Sequence, residues 1–335
     1  MNSIAVIGGG SWGTALATVA ARAGHDVVVW SRSGEVVESI NQRHINSRYL
    51  SANSLPERIR ATTDFADAVA QSELVILAAP SHGTRSILTS LAPIVRPHTI
   101  FVGATKGIEI DTGKRMSQVA QDVFGRELAS RFVCLSGPSF AKEVVEKHPT
   151  AVVAAGENIE DCKIVQSKLS FDNLRIYTND DLVGTELGGA VKNVMAIASG
   201  MVAGLGFGSN SIAALITRGL AEMTRLALRE GAKLETLMGL AGLGDLVLTC
   251  TGTLSRNRYV GQELGRGRSI EEICAGMNEV AEGINTTQAV RRLAYRLGVE
   301  MPITAEVHAV LYEGKRAQDA AAELMMRPLR GEFQN

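Results

Sequence analysis

Short apolar runs alternate with amphipathic stretches along the first part of the chain, and this alternation then stops. Residues 4–7, 27–30, 74–78, 99–103, 133–135 and 151–155 are compact runs rich in Val, Ile, Leu and Ala. Between them, stretches such as 14–23, 86–94 and 115–124 carry apolar residues at helical spacing or are rich in Ala. Strands alternating with helices at this pitch predict a doubly wound, mostly parallel sheet, with residues 174–177 as a further strand. Beyond residue 188 the strand pattern fades. Residues 190–203, 211–230, 269–275, 286–297, 303–312 and 315–326 read as helices separated by Gly-rich breaks. The expected architecture is α/β, with an N-terminal doubly wound Rossmann-type sheet (residues 1–188) and an all-helical C-terminal domain (residues 189–335). The joint is expected around residues 186–189, without a long linker, so that the two parts share a cleft.

The first strand runs directly into Gly8-Gly9-Gly10-Ser11-Trp12-Gly13 and then into an Ala-rich helix. Gly-x-Gly-x-x-Gly between strand and helix is the fingerprint of a dinucleotide pyrophosphate site. Gly8, Gly10 and Gly13 permit the tight turn, and the free N–H groups at the start of the helix meet the anion. The second strand ends in Trp30-Ser31-Arg32 where an NAD site usually places Asp or Glu. An arginine there can pair with a 2′-phosphate, which points to NADP(H) as preferred cofactor. Arg32 is followed by Ser33, and a single guanidinium leaves NAD(H) expected to be tolerated.

Composition narrows the classes without choosing among them. A chain of 335 residues with 45% hydrophobic and 21% charged residues suits a two-domain globular protein. Lys plus Arg number 34 against 35 Asp plus Glu, so no global field invites nucleic acid or an anionic membrane. Cys134, Cys162, Cys250 and Cys274 lack metal-ligand or CxxC spacing and are expected to be buried thiols, with no metal site. Residues 193–217 carry no charge, but Gly204, Gly206 and Gly208 break the run, favouring a buried core helix over membrane insertion. The N-terminus has no basic leader and begins as a strand, so the expected location is the cytoplasm.

Several polar residues stand in positions suited to chemistry. Lys192 precedes the uncharged run and follows Gly188-Gly189-Ala190-Val191. It reads either as a proton donor in the cleft or as a lysine snorkelling from a core helix. Lys106 follows a strand at the ligand-binding edge of the sheet and can anchor a substrate oxygen or lie on a surface loop. Gly137-Pro138-Ser139-Phe140-Ala141 follows another strand, as an anion site or as a plain turn. Asp245, in Gly242-Leu243-Gly244-Asp245-Leu246, can orient Lys192 or cap a helix. Ser255-Arg256-Asn257 precedes a helix and offers phosphate chemistry or a solvated basic turn. Hydrolase and kinase motifs are absent.

Together these stretches resemble the NAD(P)-dependent glycerol-3-phosphate dehydrogenases, in particular the bacterial biosynthetic form, from residue 4 to about residue 326. The most specific pieces are Ser136-Gly137-Pro138-Ser139-Phe140-Ala141 and Glu186-Leu187-Gly188-Gly189-Ala190-Val191-Lys192-Asn193. Others are Ala104-Thr105-Lys106-Gly107-Ile108, Gly242-Leu243-Gly244-Asp245-Leu246, Ser255-Arg256-Asn257 and Glu279-Val280-Ala281-Glu282-Gly283. The resemblance implies reversible hydride transfer between NAD(P)H and the C2 carbonyl of dihydroxyacetone phosphate, giving sn-glycerol 3-phosphate for glycerophospholipid synthesis. It implies Lys192 as the general acid/base, with Lys106, Gly137, Asp245, Ser255, Arg256 and Asn257 around the substrate. It implies Gly8, Gly10, Ser11, Trp12, Gly13, Arg32, Lys106, Ala141, Arg256, Val280 and Glu282 around the cofactor. A two-domain hydroxyacid dehydrogenase or a non-enzymatic NADP(H) sensor would share the first domain. The apolar second domain is compatible with a purely internal core or with a homodimer contact.

Overall fold

Eight strands form one sheet in the computed structural model, which describes residues 3–277, 279–329 and 331–332. In chain order these are β1 (Ser3–Ile7), β2 (Asp26–Trp30), β3 (Ile59–Thr62), β4 (Ser72–Leu77), β5 (Ile100–Gly103), β6 (Phe132–Ser136), β7 (Thr150–Gly156) and β8 (Leu174–Asn179). Their spatial order is β8-β7-β6-β5-β4-β1-β2-β3, which contains the 3-2-1-4-5-6 order of the dinucleotide-binding sheet. Neighbours run parallel except β6 and β7, which are antiparallel.

Both faces of the sheet are covered, which is why its central strands read as unbroken apolar runs. Ile4 and Val6 face one core with Leu16 and Val19, while Ala5 and Ile7 face the other with Leu88 and Phe101. Strand β3 was not evident from its sequence. It is an edge strand whose burial alternates, so it has no apolar run to find. The small hairpin Ile45–Asn46 with Leu50–Ser54 escapes for a similar reason: its second strand is mostly exposed and polar.

The helical part is organised around one element, Leu182–Gly204, in which every residue from Gly184 to Met201 is buried. By length and composition this helix could cross a membrane, but 83% of its apolar window is buried inside the protein, as a core helix requires. The joint expected around residues 186–189 lies inside this helix. Leaving β8, the chain turns at Asp181, whose carboxylate caps the helix through Gly184 N at 2.8 Å and also accepts from Lys233 N at 2.8 Å. One expectation is corrected. Cys134, Cys162 and Cys250 are buried, but Cys274 is exposed on the short helix Ile270–Ala275.

Helix Arg256–Gly265 crosses Leu182–Gly204 at very short range. A Cβ on Gly261 would lie 1.9 Å from Ile197 O, and one on Gly200 would lie 2.1 Å from Arg258 O. Only glycine at both positions lets the backbones meet, and this crossing sets the start of Arg256–Gly265 beside Asn193. Replacing Gly261 by Ala is expected to destabilise the protein by about 1–3 kcal/mol or more, because the helices must separate. A denaturant midpoint unchanged from the parent would contradict that packing.

Candidate active site

The strand ends assemble one edge of the site. After β1, Gly8 takes φ +125°, and a Cβ on Gly13 would sit 1.9 Å from Gly8 O. The turn is therefore tight enough to bring backbone N–H groups to a ligand. Helix Ser11–Arg22 follows, with Gly10 as its N-cap, no side-chain cap and no acidic residue in its first turn. Trp12, Ala78 and Ala141 pack against the adjoining core, and Trp12 Nε1 is buried without a partner. Arg32 is exposed just past β2, while Ser33 caps the next helix, accepting from Val36 N at 3.4 Å. A glycine cradle, free helix N–H groups, an orphan indole N–H and an exposed guanidinium at the second strand fit an adenine dinucleotide carrying a 2′-phosphate.

Lys106 reaches inward from the loop after β5. Its Nζ donates to Gly137 O at 3.1 Å and to Asp245 Oδ2 at 2.7 Å. Gly137, at φ +136° after β6, lies so close to β7 that a Cβ would be 2.9 Å from Val152 Cα. The other oxygen of Asp245 accepts from Lys192 Nζ, which also donates to Thr249 Oγ1 at 2.7 Å. Asp245 is 1% exposed and Lys192 6% exposed. Two ammonium groups, one from each half of the molecule, thus share one buried carboxylate.

The electrostatics follow from that arrangement. Burial pulls the Lys192 pKa down to about 7, Asp245 opposes the shift, and the nearby Lys106 charge adds to it. A lysine poised there can hold or release its proton near neutral pH. Asp245 is delivered by local geometry: the π-helical turn Leu240–Gly244 leads into the helix Asp245–Thr251, which places Thr249 on the same face. Earlier on the helix that carries Lys192, buried Glu186 accepts from Ser117 N at 2.7 Å and pairs with Arg115 at 2.6 Å. That anchor ties the lysine's helix to the sheet domain.

The third group enters from the helix Arg256–Gly265. Ser255 is its N-cap, accepting from Arg258 N at 3.2 Å. Asn257 donates to Asn193 Oδ1 at 2.9 Å and accepts from Gly283 N at 2.9 Å. Arg256 donates to Val280 O at 3.1 Å and pairs with Glu279 at 2.8 Å. Glu282 reaches the sheet edge, where Ser81 donates to it through N at 3.0 Å and Oγ at 2.5 Å. Thr249, one helical turn after Asp245, joins the site without any motif to mark it. Glu279 lies in the stretch 279–283, yet nothing in its spacing signals the pair with Arg256. Among the described residues no group of three or more His, Cys, Asp or Glu is placed to hold a metal ion.

A dinucleotide-binding sheet facing a buried lysine–carboxylate pair and a basic helix start defines a two-domain dehydrogenase of the nicotinamide class. Residues 3–162 match the model of the NAD-dependent glycerol-3-phosphate dehydrogenase N-terminus, and residues 181–322 match that of its C-terminus. The chain belongs to the glycerol-3-phosphate dehydrogenase family. It is 51% identical over 330 residues to the NAD(P)+-dependent glycerol-3-phosphate dehydrogenase of Koribacter versatilis, covering 98% of both chains. Its identity to that of Geobacter sulfurreducens is 50% over 329 residues, again covering 98% of each. It superposes on the crystal structure of glycerol-3-phosphate dehydrogenase from Coxiella burnetii with a TM-score of 0.93 at 40% identity, covering 97% of this chain and 99% of that one.

Proposed function

We propose that the chain reduces dihydroxyacetone phosphate to sn-glycerol 3-phosphate with NAD(P)H, reversibly, and that Lys192 supplies the proton. The observation that carries this reading is the Lys106–Asp245–Lys192 chain, buried between the sheet edge and the helical core. When bound, the reduced nicotinamide supplies the hydride. Gly8, Gly10, Ser11, Trp12 and Gly13 would hold the dinucleotide at the first turn, with Arg32 on its 2′-phosphate and Ala141, Val280 and Glu282 along its length.

Lys192 protonates the alkoxide that develops at C2, and Asp245 keeps the ammonium oriented while Thr249 takes a second of its hydrogens. Lys106 supplies a further positive charge next to the reacting oxygen, steadied by Gly137 O. Arg256 and the start of its helix, with Ser255 and Asn257, bind the substrate phosphate. Lys192 and Asp245 are buried in the part of the chain whose core includes Val191 and Leu246, and exclusion of water there strengthens these charge interactions. The physiological direction on this reading is reduction, supplying glycerophospholipid synthesis.

The test follows absorbance of the reduced nicotinamide while purified protein meets dihydroxyacetone phosphate, first with NADPH and then with NADH. Substrate-dependent oxidation is expected with both, faster at low concentration with NADPH. No turnover from folded protein that binds NADPH would overturn the substrate assignment. Arg32→Ala is expected to raise the KM for NADPH about tenfold or more and that for NADH less than about threefold, since only NADPH carries the 2′-phosphate. Equal changes for the two cofactors would remove Arg32 from that role.

A further inference from the structure

The first turn of the dinucleotide helix carries a charge from the other domain. Helix Ser11–Arg22 has no acidic residue in its own first turn and no side-chain cap. Ser11 Oγ nevertheless donates to Glu279 Oε1, across the interface between the sheet and the helical domain. The second oxygen of the same carboxylate pairs with Arg256 at 2.8 Å. Glu279 thus bridges a group expected at the pyrophosphate and a group expected at the substrate phosphate. A carboxylate near a helix N-terminus is favoured for the same reason that a pyrophosphate is.

We propose that Glu279 is an internal competitor of the cofactor pyrophosphate and links occupation of the two anion sites. The proposal rests on the reading of Ser11 and Arg256 given above. A pyrophosphate approaching the turn and the Glu279 carboxylate repel each other and seek the same donors, so binding requires the carboxylate to withdraw from Ser11. Glu279 and Arg256 share one ion pair, so that withdrawal also loosens Arg256 and leaves its guanidinium available for the substrate phosphate. Glu282, three positions on, stays fixed to Ser81 through two hydrogen bonds, so the strap has a firm end beside its releasable one.

Neutralising Glu279 removes the competition while keeping the side chain's shape. With Glu279→Gln, the Kd for NADPH, read by nicotinamide fluorescence, is expected to fall about three- to tenfold, as suits a partly exposed ion pair and one charge-assisted hydrogen bond. Glycerol 3-phosphate, titrated by calorimetry, is expected to bind the cofactor-free variant more tightly than the cofactor-free parent. Added NADP+ should then improve its binding less in the variant than in the parent. Glu279→Ala should move all three quantities the same way.

A folded variant with unchanged or weaker NADPH binding would overturn the proposal and leave Glu279 as a structural tie. An unaltered effect of NADP+ on glycerol 3-phosphate binding would overturn the link between the sites. Failure of the parent protein itself to bind NADPH would sink the underlying cofactor reading, an outcome distinguishable from either. Thermal midpoints within a few degrees of the parent show that the comparison is between folded proteins.

Discussion

Lys192→Ala is expected to lower kcat for reduction by about 10²–10⁴-fold while NADPH still binds, the range lost when a positioned general acid is removed. The side chain is buried, and its ammonium has Asp245 and Thr249 as partners. Rapid-mixing kinetics give the rate, and nicotinamide fluorescence confirms that cofactor affinity changes less than about threefold, as expected for a group acting on the transition state. Near-normal turnover from a folded variant would refute the role. The same group is expected to set the pH dependence. Reduction needs the protonated amine, so in the parent the rate falls as pH rises through about 7, and the oxidation direction shows the opposite slope. Lys106→Met removes the neighbouring positive charge that helps to lower the Lys192 pKa, so this limb moves to higher pH, whatever happens to KM.

Asp245→Asn has the next largest expected effect and a different signature. The carboxylate accepts from both lysines and has almost no contact with solvent. Without its charge, Lys192 loses the influence that opposes burial, and its pKa drops below about 7. At pH 7.5 less of the amine carries a proton, and kcat for reduction falls by about 10²–10³-fold. The rate limb shifts to lower pH, opposite to the Lys106→Met shift. Stability falls as well, because breaking a buried ion pair costs about 3–5 kcal/mol when the remaining charge stays unpaired. Deprotonation of Lys192 relieves part of that cost, so the loss in thermal midpoint should shrink as pH rises. A variant whose rate limb stays in place would show that Asp245 does not govern the lysine.

Much of the molecule can be read without coordinates because its signals are local. The β1–turn–helix fingerprint spans a few consecutive residues, and the close approach of Gly13 to Gly8 follows from their spacing. The apolar runs of β1, β2, β4, β5, β6 and β7 mark a sheet covered on both faces. Strand β3 left no such mark because half of it faces solvent. The helical second part was also evident, although the helix bearing Lys192 begins earlier, at Leu182, than its apolar run suggested.

The two readings of Lys192, cleft or surface, are separated only in three dimensions. Lys192 and Lys106 meet at Asp245 across 53 and 139 positions of chain, so no periodicity relates them. The same holds for Arg256, which touches residues 279 and 280, and for Ser11, which reaches Glu279 from 268 positions away. Sequence determined which groups the chain possesses and which segments become strand or helix, because those depend on neighbours a few residues apart. Tertiary packing decided which charges share a desolvated space, and therefore which lysine holds its proton loosely, because a pKa depends on distance and burial rather than on order along the chain.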